Sequence, residues 1–216
     1  MKSFVKGLWS RTKSEPELRK LEHPRDLSSG DMIQLSDSFG LPPRLRDQVF
    51  KVLAMVTYQF EHSYSTSFNL QGENDDIIDL TIEEEGGRAI AAFSISIDRA
   101  LVEQIFDMDE FSLIFDPEET AIVKPIESVD LSPWLADLYT QESCGESAFF
   151  YPKDCRESGP SEYENDGEPF EYYSLVDKGR TKGIEIEVYA SGETDVSLTL
   201  YRDLGDIKEL WPAKKE

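Results

Sequence analysis

Side chains that perform acid–base chemistry near neutral pH are scarce in this 216-residue chain, which contains only two histidines. His23 lies in a charged segment rich in proline, and His62 follows a predicted strand. Glu61 and Ser63 flank His62, but neighbouring residues of a strand point to opposite faces, so the three side chains do not converge on one substrate. The sequence therefore favours a surface position for His62 over a catalytic one.

The two cysteines offer little redox or metal chemistry. Cys155 lies between Lys153 and Arg156, whose charges favour a thiolate, but acidic neighbours oppose that effect. The spacing from Cys144 matches no zinc motif, and two thiols alone do not close a tetrahedral site. Both cysteines are expected to be thiols in a reducing compartment, and a single disulfide between them is the alternative.

Acidic residues dominate the composition, with 44 Asp and Glu against 22 Lys and Arg and a net charge of −22. Acid clusters at 107–110, 116–119 and 162–166 lack the ligand spacing of a calcium loop and are interpreted as solvated loop residues. A glycosidase pair would need two carboxylates facing each other across a cleft, which the sequence does not show. We therefore predict no catalytic residues, no cofactor and no metal site.

The charge balance also limits the partners. A net charge of −22 opposes binding to nucleic acid and favours a basic protein partner, although solubility alone is the simpler interpretation. No secretory signal and no apolar run long enough to span a membrane are visible, so a cytoplasmic location is expected.

The first 25 residues differ from the rest, since they hold seven Lys or Arg against three Glu. Within residues 1–13, apolar and basic side chains recur at helical spacing, which predicts a short amphipathic helix followed by a linker. Such a helix could lie in a membrane interface, dock in a partner's groove or pack on its own domain; a disordered tail is the other interpretation. The docking residues predicted on it are Phe4, Leu8, Trp9, Lys2, Lys6 and Lys13.

The elements that position the remaining residues are mostly strands, predicted with one buried and one solvated face. Gly86 and Gly87 predict a hairpin, and Asp98 and Asp203 each predict the start of a helix. A further hairpin is expected at 111–123, a helix after Ser132 and a mobile acidic loop at 152–169. The predicted strands cover 32–35, 49–60, 67–71, 78–82, 93–97, 170–176, 184–189 and 196–201.

The two series of strands share a register. Phe93 and Ile95 match Leu198 and Leu200 at a shift of 105 residues, and the hairpin glycines and cap aspartates follow in phase. The sequence thus predicts an α+β, β-rich fold: two similar β-β-β-α units from an internal duplication, packed as one composite domain, plus short helices. The expected boundaries are 1–27 for the basic helix and linker, 28–110 for the first unit and 111–216 for the second.

Three stretches of the second unit are distinctive: FEYYSLVD from Phe170, IEIEVYASGETDVSLTLYR from Ile184 and DIKELWP from Asp206. They resemble the uncharacterised bacterial YjfK-like family, and the similarity extends from about Gly30 to Pro212. That family has no established catalytic residues, so none is transferred. The resemblance implies a bacterial protein whose relatives lie near genes for membrane-stress proteins of the phage-shock type, which act at the inner membrane.

Together these observations favour a non-enzymatic acidic adaptor that is cytoplasmic, peripheral at the inner membrane through its N-terminal helix and linked to membrane stress. Its expected partners are a basic protein and an anionic membrane surface. The alternative is a small-ligand-binding protein or hydrolase with a cleft between the two units. An apolar cleft that holds carboxylates or Cys155 with a perturbed pKa would distinguish the second role.

Overall fold

The structure is a computed structural model that describes residues 19–73, 76–126, 130–160 and 167–214. Strands dominate it, and the helices are short. The strands are β1 (Met32–Leu35), β2 (Val49–Gln59), β3 (Tyr64–Gln71), β4 (Ile77–Glu85), β5 (Arg88–Ile97), β6 (Ile122–Val123), β7 (Tyr139–Tyr151), β8 (Glu168–Val176), β9 (Lys182–Tyr189), β10 (Thr194–Asp203) and β11 (Ile207–Trp211). The helices are α1 (Arg99–Ile105) and α2 (Met108–Ser112), with 3-10 turns at Pro24–Asp26, Leu113–Phe115 and Leu204–Asp206. No helix in these described ranges is long and apolar enough to cross a lipid bilayer.

These strands form one antiparallel sheet in the order β11-β1-β2-β3-β4-β5-β10-β9-β8-β7-β6. Because β2 also pairs with β7, eight of the strands close into a ring. Each half of the ring is a four-stranded meander, β2 to β5 and β7 to β10. The meanders join at the β5–β10 pairing and at the shorter β2–β7 pairing.

Most of the alternating apolar residues of β4, β5, β9 and β10 belong to the main hydrophobic core, as their period of two predicts. Leu80, Phe93 and Leu198 are fully buried, and they join one cluster with side chains from the helices and the surrounding loops, such as Val102 and Trp134. Many of the alternate residues of the same strands, such as Asp79, Ser94 and Glu185, are polar and line a cavity inside the ring. The strands therefore have a buried apolar face, but their polar face encloses a cavity where the sequence predicted solvent.

The predicted strands are present in the structure, and so is the helix predicted to begin after Asp98. Gly86 and Gly87 both adopt positive φ at the β4–β5 turn, as the sequence predicts. Asp98 caps α1 by accepting a hydrogen bond from the Leu101 backbone N–H at 2.8 Å. The helix then buries Val102 and Ile105 against the sheet.

The helix predicted after Asp203 is wrong. Asp203 caps only a 3-10 turn, and the chain then continues as β11, which pairs with β1. Tertiary contacts override the helical spacing here. Buried Asp206 accepts hydrogen bonds from Arg202 at 2.7 Å and from Ser36 at 3.2 Å, which fix the chain in position to pair with β1.

Two predictions for the segment between the meanders are also wrong. The expected hairpin at 111–123 is the end of α2, a 3-10 turn and the short strand β6, which pairs with β7. The residues after Ser132 form turns rather than a helix, since buried Trp134 anchors them and β7 begins shortly afterwards. The mobile acidic loop predicted at 152–169 lies within the second meander and stays a prediction. Its described start contacts β2, where the hydroxyl of Thr57 donates to the Lys153 carbonyl at 2.9 Å and accepts from the Cys155 N–H at 3.0 Å.

Candidate ligand-binding cavity

The residues considered for chemistry from the sequence do not meet in one site. His62 is exposed, His23 caps the first 3-10 turn, Cys144 is exposed and Cys155 is buried, and both thiols are free. The six predicted docking residues lie outside the described residues, so that prediction stays a prediction.

The strongest candidate for a functional site is a cavity of about 100 Å³ inside the ring of strands. Seven of the eight ring strands contribute to it, because the alternate residues of each point inward. Closed sheets of eight strands are just wide enough to be filled by side chains or to hold one small ligand. The lining consists of Tyr58, Phe60, Ser65, Ser67, Asp79, Thr81, Glu83, Ser94, Tyr172, Glu185, Glu187 and Ser197.

Two larger cavities share lining residues with this central one and lead away from it. The first has a volume of about 590 Å³. It lies beside the end of the β3–β4 pairing, where Ser67 and Thr81 form the last pair. The second, of about 200 Å³, shares Glu83 and Tyr172 with the central cavity. Glu83 lines all three cavities and Glu84 lines the two larger ones, so the three adjoin one another at this part of β4.

Hydroxyl and amide donors hold the three innermost carboxyl groups. Asp79 on β4 accepts from the Asn69 side-chain amide at 3.0 Å. Glu185 on β9 accepts from Tyr201 at 3.1 Å and has the Thr199 hydroxyl beside it. These donors are neutral, so they orient the carboxyl groups without compensating a negative charge.

Glu187, two residues along β9 on the same face, is held in the same way. Its carboxyl group accepts from Tyr189 on the same strand, and it lies within hydrogen-bonding reach of Tyr58 on β2. Because β2 and β9 are not neighbours in the ring, this contact spans the interior. It brings side chains from both meanders into one network.

Burial in this interior raises the pKa of each innermost carboxyl group. Desolvation raises the pKa of Asp79 and of Glu185, and it raises the pKa of Glu187 from 4.5 to about 7. Negative neighbours add to the effect, since Asp79 lies near Glu185, and Glu185 near Glu187. The hydrogen bonds oppose the shift without cancelling it.

Tyrosine and phenylalanine rings form much of the wall around these groups. Phe60 and Tyr172 meet edge to face with ring centroids 5.2 Å apart, and Tyr58 meets Phe170 at 6.0 Å. Desolvation, followed by the nearby carboxylates, raises the pKa of Tyr58, Tyr172 and Tyr201, so these hydroxyl groups keep their protons.

Among the described residues, Arg25 and Arg156 line the larger adjoining cavity and Arg180 lines the smaller one. Arg25 pairs with Glu84 at 2.8 Å beside the larger cavity, and Arg180 pairs with Glu142 beside the smaller one. The lining of the central cavity includes no Lys, Arg or His among the described residues. No group of three or more His, Cys, Asp and Glu side chains in the same ranges is arranged to hold a metal ion.

Sequence reasoning missed the cavity residues, although one signal was present. Glu185 and Glu187 occupy polar positions of a strand that otherwise alternates with buried Ile184 and Ile186. Acidic residues at alternate positions also occur on strand faces that contact solvent. The pattern alone therefore does not show that this face of β9 lines a cavity. Comparison with protein-family models, with curated proteins and with solved structures finds no match to this chain.

Proposed function

We propose that the protein binds a small polar molecule in the cavity enclosed by its ring of strands. The observation that carries this proposal is the polar interior: a central space lined by carboxyl, tyrosine and serine side chains, while the apolar residues pack on the other face. Desolvating carboxyl groups costs free energy, and a sheet of this size fills with apolar side chains at no such cost. A bound polar ligand would account for a lining of this kind.

This proposal develops the alternative that the sequence left open, a small-ligand site between two similar units. Carboxyl groups with raised pKa are the sign that was expected of such a site, and Asp79, Glu185 and Glu187 have it. The lining is more polar than the apolar cleft that was expected. Convergent polar groups in a concave site are the usual feature of a small-molecule site.

The pairing of the strands also supports the proposed duplication. Ser94 and Thr199, which are equivalent under the 105-residue shift, pair with each other, and their hydroxyl groups are 2.8 Å apart. On either side the partners exchange: Phe93 pairs with Leu200, and Ile95 pairs with Leu198. Any antiparallel pair shows this exchange, but a twofold axis between duplicated units also requires equivalent residues to lie opposite each other, as Ser94 and Thr199 do. We therefore infer two related meanders with the cavity between them.

The first test uses native mass spectrometry and a thermal-shift screen of small polar molecules. We expect a retained or added small molecule that stabilises the protein and moves the NMR signals of Tyr58 and Tyr172, which lie in the cavity wall. Ser197→Phe should abolish binding by filling the central space, whereas Ser197→Ala should preserve it.

Circular dichroism and the unfolding transition check that both variants are folded. If Ser197→Phe does not fold, the ligand-induced NMR shifts of Tyr58 and Tyr172 in the unaltered protein still test whether the ligand binds in the cavity. A screen in which no molecule perturbs those tyrosines would overturn the proposal.

A further inference from the structure

We propose that the ligand of this cavity is a linear organic amine that carries at least two ammonium groups. This inference rests on the proposed function and specifies its ligand class. The shape of the cavity and the absence of a cationic side chain from its described lining are the observations that lead to it.

The first step concerns charge. Asp79, Glu185 and Glu187 share one enclosed space, and their hydrogen-bond donors are neutral side chains. A buried carboxylate without a positive partner is costly, so proteins pair such groups or protonate them. An ammonium group that enters the cavity would provide the missing positive charge. More than one carboxyl group is available, which favours a ligand with more than one ammonium group.

The second step concerns hydrogen bonding. Once a tyrosine hydroxyl donates its proton to a carboxylate, its oxygen still accepts a hydrogen bond. Tyr201, beside the smaller cavity, donates in this way to Glu185, and Tyr189 donates to Glu187, so these two carboxyl groups are oriented as acceptors. An ammonium group has three N–H donors and no acceptor, which complements these acceptors. The faces of the aromatic rings add a further attraction for cations.

The third step concerns shape. The central space of about 100 Å³ shares its lining with cavities of about 590 Å³ and 200 Å³, and Glu83 borders all three. A ligand in the central space can therefore extend into an adjoining cavity. Arg25 and Arg180 already pair with the outer carboxyl groups of Glu84 and Glu142, so the ammonium groups are expected among the central ones. A linear amine can place its charges there and continue into an adjoining cavity, which a compact cation does not do.

Binding should be linked to proton release. The groups that face the Glu187 carboxyl are carboxyl and phenol groups from β2, β8, β9 and β10. They are Tyr58, Tyr172, Glu185, Tyr189 and Asp195. All of them are neutral or negative, so an entering ammonium group favours the ionised form of Glu187.

The experiment is isothermal titration calorimetry with spermidine, with butylamine as a monoamine and 1,8-octanediol as a neutral molecule of similar length. We expect 1:1 binding of spermidine, weaker binding of butylamine and none of the diol. Affinity should rise between about pH 6 and about pH 8, on either side of the Glu187 pKa of about 7. Buffers of different ionisation enthalpy should report proton release at the lower pH.

Neutral variants of the same shape test the site. Asp79→Asn and Glu187→Gln should each weaken spermidine binding at least tenfold. Glu187→Gln should also remove most of the pH dependence of the affinity. Glu209→Gln makes the same charge change on an exposed residue of β11 and should leave the affinity unchanged. Equal losses in all three variants would show surface attraction and overturn the inference.

Other outcomes separate this inference from the proposed function. If the diol, an anion or a metal ion occupies the cavity and spermidine does not, the amine is wrong while a ligand-binding cavity stands. If no small molecule of any class perturbs the cavity tyrosines, both proposals fail.

Discussion

The buried carboxyl group of Glu187 lowers the free energy of unfolding near neutral pH. Its pKa rises from 4.5 to about 7, mainly through desolvation. Between these values the folded protein holds a proton that the unfolded chain has lost, so the free energy of unfolding falls as pH rises through this window. Below about pH 4.5 both states are protonated, and above about pH 7 the loss is complete.

Glu187→Gln should therefore stabilise the protein in a pH-dependent way. We expect a small difference from the unaltered protein at low pH that grows to at most about 3 kcal/mol above about pH 7. Urea denaturation at about pH 5.5 and about pH 8 measures it, with Glu209→Gln as the control for removing one exposed acid. An equal difference at both pH values would contradict a raised carboxyl pKa.

The closure of the ring, at the scale of elements, depends on a short seam. β2 and β7 pair through only three residue pairs, Thr57–Tyr151, Tyr58–Phe150 and Gln59–Phe149. Thr57 is fully buried, and its hydroxyl group fixes the segment that follows β7. The seam therefore relies on a side chain as well as on backbone pairing.

Thr57→Val should weaken this seam with little change in shape. The substitution leaves the buried Cys155 N–H without its acceptor, which should cost about 1–3 kcal/mol of unfolding free energy. Thr57→Ser keeps the hydroxyl group and should lose less. Urea denaturation measures both variants, and hydrogen exchange of the Cys155 amide should accelerate in the valine variant alone. Similar behaviour of the two variants would argue against the role of the hydroxyl group.

The same elements show which parts of the architecture local sequence can predict. Alternation identified the strands from Ile78 to Ile82 and from Phe93 to Ile97, and their apolar residues are buried as predicted. A period of two separates the faces of a strand, but it does not say which face is concave. Closure depends on β5 meeting β10 and β2 meeting β7 across long sequence separations. Those pairings made the polar face an interior, so Glu185 was not recognised as a cavity residue.

At the scale of the whole molecule, charge divides the chain into two chemically different parts. Residues 1–25 carry seven basic and three acidic residues, although the chain has a net charge of −22. The proposed ligand site would use some of the acids, and it assigns no role to the basic start of the chain. The predicted adaptor function addresses that part, and its six docking residues lie outside the described residues, so the two proposals are tested separately.

The adaptor proposal leads to a direct prediction for the full chain. It should float with liposomes that contain anionic lipid, but not with neutral liposomes, because lysines near an anionic surface contribute about 1 kcal/mol each. Leu8→Glu with Trp9→Glu should abolish flotation while leaving the unfolding transition unchanged. Lys2→Gln, Lys6→Gln and Lys13→Gln together should reduce it and weaken its salt dependence. Flotation that survives the Leu8 and Trp9 substitutions, or that occurs equally with neutral lipid, would rule out this docking surface. Because the acidic remainder of the chain is repelled by the same lipid, added salt should weaken the lysine attraction and that repulsion together.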